Sequence, residues 1–138
     1  IVPAGPTHHS EAAQAVAKAF DGAGIGPGEL DLVELQDNTV YYELAFPEEW
    51  GLCEPGEAER LVEKGETTPT GKLPINPSGG LIGLGHPVGS TGVRMVLDCC
   101  KQVTGQAGDY QLPRAENMMT FNMGGSTTTC ACFVVGVG

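Results

Sequence analysis

One side chain in this 138-residue chain can move a proton near neutral pH from a specially shaped setting: His86. It lies in the run Asn76-Pro77-Ser78-Gly79-Gly80-Leu81-Ile82-Gly83-Leu84-Gly85-His86-Pro87-Val88-Gly89-Ser90-Thr91-Gly92, where six glycines surround a single titratable group. Glycine lets backbone approach a ligand closely, and Pro87 sets the chain direction directly after the imidazole. An imidazole there can take the proton of a thiol or donate a hydrogen bond to a carbonyl oxygen. A helix starting just beyond it favours anionic groups nearby. The plainer reading of a Gly-His-Pro tripeptide is a tight turn whose histidine bonds a carbonyl, and the length of this run speaks against it.

Other polar residues carry weaker signals. The five cysteines, Cys53, Cys99, Cys100, Cys130 and Cys132, repeat no zinc-ribbon or Cys-x-x-Cys spacing, so they read as small hydrophobes in a reducing setting and no metal is expected. His8-His9 lacks further ligands at useful spacing and reads as solvent-exposed or as a helix entry rather than as a metal site. Asp37 stands where it can cap the helix that follows it, and Tyr41 and Tyr42 read as core rather than catalytic.

The elements that must position these groups follow from periodicity. Ala13, Val16, Ala17 and Phe20 predict an amphipathic helix from Ser10, its cap, to a stop at Gly24. Leu30 to Leu35 reads as a buried strand delivering Gln36-Asp37-Asn38 to a second helix, whose stripe Val40, Tyr41, Leu44, Ala45 ends before Pro47. Glu57 to Lys64 predicts a short surface helix, and Gly65 to Ser78 a loop. Val93, Val96, Leu97 and Cys100 mark the buried face of a helix opened by Ser90 or Thr91. Met118 to Asn122 and Thr127 to Val137 predict an antiparallel pair turned by Gly124-Gly125-Ser126, with Cys130 to Val135 of central-strand character.

The histidine run resembles the Gly-His-Pro motif of the thiolase superfamily, in its sterol-carrier or lipid-transfer branch. Gly24 to Asp37, the series Glu49-Trp50-Gly51-Leu52-Cys53, Gly56-Glu57-Ala58 and Gly65, and Asn122-Met123-Gly124-Gly125 extend the resemblance over almost the whole chain. It implies an α/β fold, the C-terminal half of the thiolase fold, with a mixed five-stranded sheet layered by helices. Residues 1–138 then form one thiolase-like C-terminal domain of a longer protein, whose opening strand and nucleophile half lie before Ile1.

The resemblance also assigns roles. His86 would activate a cysteine from the N-terminal half, Gln36 would donate to an oxyanion hole, and the Gly124 backbone would serve a second one. Ser78, Gly80 and Gly85 would border the coenzyme A thioester, the substrate, with no covalently bound cofactor. Asn122 takes the place of the second thiolase cysteine, and Asn38 that of a cysteine the lipid-transfer branch uses instead, so ordinary thiolysis lacks its acid/base thiol.

Three functions are therefore expected candidates. The first is an acyl-CoA acyltransferase acting on a carbon–carbon bond beside a thioester. The second is a retro-aldolase for β-hydroxyacyl-CoA, assisted by a zinc-ribbon and OB-fold companion, whose relatives use tyrosines. The third is a scaffold or lipid binder without turnover. The resemblance implies a homo-oligomer. Net charge −10, pI near 4.5 and seven scattered basic residues exclude a nucleic-acid footprint and disfavour anionic membranes. No apolar run approaches the ~20 residues of a spanning helix, so the expectation is a soluble cytoplasmic protein, peroxisomal in a eukaryote.

Overall fold

The computed structural model describes residues 10–125 and 128–137. His8, His9, Ser126 and Thr127 lie outside them. Helix α1 (Glu11–Ala23) starts where the Ser10 hydroxyl accepts the Ala13 N–H and ends at Gly24, whose φ of 70° closes the C-terminus. Its Ala12, Val16 and Phe20 are buried, as the 3.6-residue period requires.

A 3₁₀ turn (Pro27–Glu29) leads into strand β1 (Leu32–Leu35), buried along its whole length. The Asp31 carboxylate just before it accepts the N–H groups of Glu116 and Asn117 at 2.8 and 3.0 Å, fixing where the second strand begins. That strand, β2 (Asn117–Gly124), runs parallel to β1, and β3 (Thr129–Gly136) returns antiparallel to it, giving the order β1-β2-β3. On the other side of β1, Ile75 forms a single parallel bridge to Val33. The described residues thus form a mixed three-stranded sheet with helices, and the five-stranded sheet is not made by them.

Helix α2 (Tyr41–Glu49) differs from the expected one in where it ends and in which side chains it buries. It continues through Pro47 instead of stopping before it. The ring is buried, and the Pro47 carbonyl still accepts the Leu52 N–H at 2.8 Å, so only the one N–H bond that proline lacks is lost. The stripe Val40 and Tyr41 is exposed. Phe46 and Trp50 go inward instead, stacked on each other at 4.8 Å, with Phe121 edge-on to Phe46 at 4.9 Å and tilted to Trp50 at 4.6 Å. Large aromatic area outweighs the smaller stripe.

Beyond the short helix α3 (Ala58–Glu63), a one-turn helix α4 (Gly80–Leu84) sits inside the histidine run, which the sequence presents as loop. Asp37 makes it: its Oδ1 accepts the Leu81 N–H at 2.6 Å. Asp37 therefore caps α4, across the sheet end, rather than α2, whose start has no side-chain cap.

Helix α5 (Thr91–Val103) turns its expected apolar face outward, with Val93 73% and Leu97 52% exposed and Cys100 exposed. The buried face is Thr91, Met95, Asp98, Cys99 and Gln102. Hydrogen bonding decides this. Gln102 donates to the Tyr110 carbonyl and accepts the Leu112 N–H at 2.7 and 2.9 Å, and Asp98 accepts the Tyr110 hydroxyl at 2.9 Å. These bonds satisfy the polar residues against the 3₁₀ turn Gly108–Tyr110. In β3, Cys130, Cys132 and Val134 pack on the core while Ala131 and Phe133 are exposed, and among the described residues the strand pairs on one side, with β2.

Candidate active site

The C-terminal ends of β1 and β2 and the N-terminus of α5 meet at one rim, where the candidate residues gather. β1 releases Gln36, Asp37 and Asn38, and β2 ends in Asn122, Met123 and Gly124. The chain between α4 and α5 carries His86 over them.

Three side chains at the end of β1 or facing it tie the histidine run down. Asn76, held at φ 49°, accepts the Leu35 N–H at 2.7 Å and donates to Glu43 at 3.1 Å. Ser78 gives its backbone N–H and its hydroxyl to the two carboxylate oxygens of Glu34 at 3.1 and 2.7 Å. Asp37 holds Leu81, and Gly80 beneath it has no room for a side chain, since a Cβ would lie 2.2 Å from Asp37 Oδ2. Glu34 is 1% exposed, and that burial pushes its carboxyl up to about 7 against the opposing pull of its Ser78 bonds. Burial also raises Glu43, although its Asn76 bond opposes this.

His86 itself is exposed, its Nδ1 2.8 Å from Thr91 Oγ1. The ring is not walled in. It lines two adjoining clefts of about 330 and 270 Å³. Gln36 lines both as well, with Asn122 and Gly92 in the first and Asn38, Tyr42 and Gly124 in the second. Gln36 Oε1 accepts the Met123 N–H at 3.0 Å, so its orientation is set and Nε2 is the group left to donate, one contact being Asn38 Oδ1 at 3.4 Å. Asn122 Nδ2 reaches Met95 Sδ at 3.1 Å, and a Cβ on Gly92 would stand 3.2 Å from Asn122 Oδ1. Glycine at 92 therefore leaves the amide its place.

Of the residues proposed to meet the ester, Gly85 (φ 83°) is exposed beside His86, its N–H bonded to the Leu81 carbonyl. Ser78 and Gly80 lie beneath the run, against Glu34 and Asp37. No cysteine lines either cleft. Burial pushes the Cys132 thiol up to about 12 and Cys99 higher, and it also raises Cys53 and Cys130. Among the described residues no three His, Cys, Asp or Glu side chains could share a metal ion, and no helix is long and apolar enough to cross a membrane. Periodicity alone does not reveal Glu34 or Thr91. Both are buried polar residues whose partners lie far along the sequence or across a turn, and only the 2.7 and 2.8 Å contacts expose them.

A family profile described as "Thiolase C-terminal domain-like" matches residues 4–137. The chain belongs to the thiolase family. Within it, the chain is 41% identical over 111 residues to sterol carrier protein 2 of Rattus norvegicus, an alignment covering 80% of this chain and 20% of that protein. It is 40% identical over 120 residues to acetyl-CoA acetyltransferase of Methanothermobacter thermautotrophicus, covering 87% and 31%. It is 36% identical over 107 residues to the benzoylsuccinyl-CoA thiolase subunit BbsB of Thauera aromatica, covering 77% and 28%. A solved structure titled "Ltp2-ChsH2(DUF35) aldolase" shares the fold at TM-score 0.80 and 22% identity, covering 91% of this chain and 31% of its own. The chain thus spans a fifth to a third of these thiolase-family relatives, and it carries the C-terminal, lipid-transfer-type domain.

Proposed function

We propose that this chain is the C-terminal catalytic half of a thiolase-like acyl-CoA acyltransferase, working with an N-terminal half that supplies the nucleophile. His86 takes the proton of a cysteine thiol from that half. The sulfur attacks the thioester carbonyl, and the coenzyme A sulfur leaves with the proton His86 has held. Gln36 Nε2, oriented by Met123, donates to the oxygen on which negative charge develops, and the Gly124 backbone serves the second oxyanion position. The exposed glycine backbone around Gly85 borders the ester, while Ser78 and Gly80 hold that surface from below.

One observation carries this reading: an exposed imidazole and an oriented amide share two clefts that none of the chain's own thiols reaches. In the complete protein, His86→Ala should lower acyl transfer from a labelled acyl-CoA by ~10²–10⁴-fold, the usual worth of a general base. The fold should survive, because the ring is exposed. Undiminished transfer rejects the assignment.

The amides at Asn38 and Asn122 favour a second reading. Neither can exchange a proton with a substrate α-carbon, and retro-aldol cleavage of a β-hydroxyacyl-CoA requires no such thiol. Release of an aldehyde or ketone from a β-hydroxyacyl-CoA, with no acyl exchange, selects it, and a small zinc-ribbon and OB-fold companion would then copurify. In the whole protein the five-stranded sheet is completed by the lane at Ile75 and by an upstream strand on the open edge of β3, and two or more copies assemble.

A further inference from the structure

We propose that Thr91 decides which nitrogen of His86 carries the proton; the inference rests on His86 being the base. Thr91 is 1% exposed at the first turn of α5, and its Oγ1 makes two contacts, 2.8 Å to His86 Nδ1 and 3.1 Å to the Pro87 carbonyl. A hydroxyl has one proton and two lone pairs. A carbonyl oxygen can only accept, so the Pro87 contact uses the hydroxyl proton, and the 2.8 Å contact is then a bond that the ring donates. Nδ1 is protonated, and the lone pair resides on Nε2.

The Pro87 carbonyl is held in place by the Ser90 and Thr91 N–H groups at 2.8 and 3.0 Å. The Ser90 hydroxyl reaches the same carbonyl at 3.3 Å but makes no bond to the ring, so the role falls on Thr91. The arrangement also survives the reaction unchanged. When Nε2 gains a proton, both nitrogens are donors, and Nδ1–H still points at Oγ1. With the bonds reversed, the hydroxyl would have to turn each time His86 gains or gives up a proton, a reorganisation that a preset hydrogen-bond chain avoids. Thr91 thus acts as a positioning residue through His86 and does not itself touch the ester.

The test uses the complete protein, labelled with ¹⁵N-histidine and assigned by the signals lost in His86→Asn. At a pH where the ring is neutral, a protonated, pyrrole-type Nδ1 and an unprotonated, pyridine-type Nε2 are expected for His86. The opposite pattern overturns the proposal with no variant needed. Thr91→Val should convert the ring toward the Nε2–H form and slow acylation of the nucleophilic cysteine at least tenfold, short of the ~10²–10⁴ lost with the base itself. Thr91→Ser, which keeps the hydroxyl, should stay within about threefold of the parent rate, as a donor chain and not a methyl group is what matters. If Thr91→Val leaves both the nitrogen signals and the rate unchanged in a folded protein, the proposal fails. If the wild-type nitrogens show the expected pattern but no acyl transfer is found, the positioning role stands and the acyltransferase reading is what falls.

Discussion

Gly80 and Asp37 show how tightly single residues set the height of the histidine run above the sheet. A methyl group at position 80 would meet the Asp37 carboxylate at 2.2 Å, at a backbone φ of 59°. Gly80→Ala therefore has to break the cap on Leu81 or strain the turn, and should cost roughly 2–4 kcal/mol in chemical denaturation. Glu34 makes the run sensitive to pH. Its folded-state value of about 7 stands above the ordinary 4.5, so its contribution to stability is complete below pH 4.5 and is lost as pH rises to 7. The loss amounts to roughly 3 kcal/mol at about 1.4 kcal/mol per unit. Glu34→Gln keeps a group that can accept from Ser78 and cannot ionise. Urea unfolding at pH 5 and pH 8 should show wild type losing most of this amount over that interval relative to the variant.

At the level of elements, the ends of helices matter more than their middles. The Ser10 hydroxyl accepts from Ala13 and donates to Glu49 at the end of α2, so one atom starts α1 and ties it to its neighbour. Ser10→Ala should cost about 1 kcal/mol, read as a shifted denaturation midpoint with an unchanged slope. The start of α5 carries a different load. Its first turn holds Thr91 against His86 and Gly92 against Asn122, which is why two small residues follow Ser90 before the larger side chains begin.

The whole molecule presents an apolar face that its own core does not use. Val88, Val93, Leu97 and Phe133 are each more than half exposed, around and beside the cleft that holds His86. In the proposed assembly this face is where the N-terminal half brings its cysteine. Leu97→Asp in the complete protein should then lower stability by more than about 2 kcal/mol, the worth of a buried leucine. A change within about 0.5 kcal/mol, as at an ordinary surface site, would show that the face stays in solvent and count against that arrangement.

The Gly-His-Pro run, the strand that delivers Gln36, the capped α1 and the closing pair of strands were all legible in sequence, because each depends on local rules: glycine content, period, caps and turn residues. The same rules misjudged α5 and α2. Val93 and Leu97 have the right spacing for a core, yet Gln102 and Asp98 took the inward face because loop partners at Tyr110 and Leu112 satisfy them. Asp37 stands before α2 in sequence but caps α4, since the end of β1 brings it to Leu81. Local periodicity therefore determined which elements exist and that an imidazole is set among glycines. Which faces are buried and which carboxylates anchor the imidazole's loop were decided by contacts that only the folded chain makes, such as Ser78 with Glu34 and Leu81 with Asp37, where hydrogen-bond satisfaction outweighs pattern.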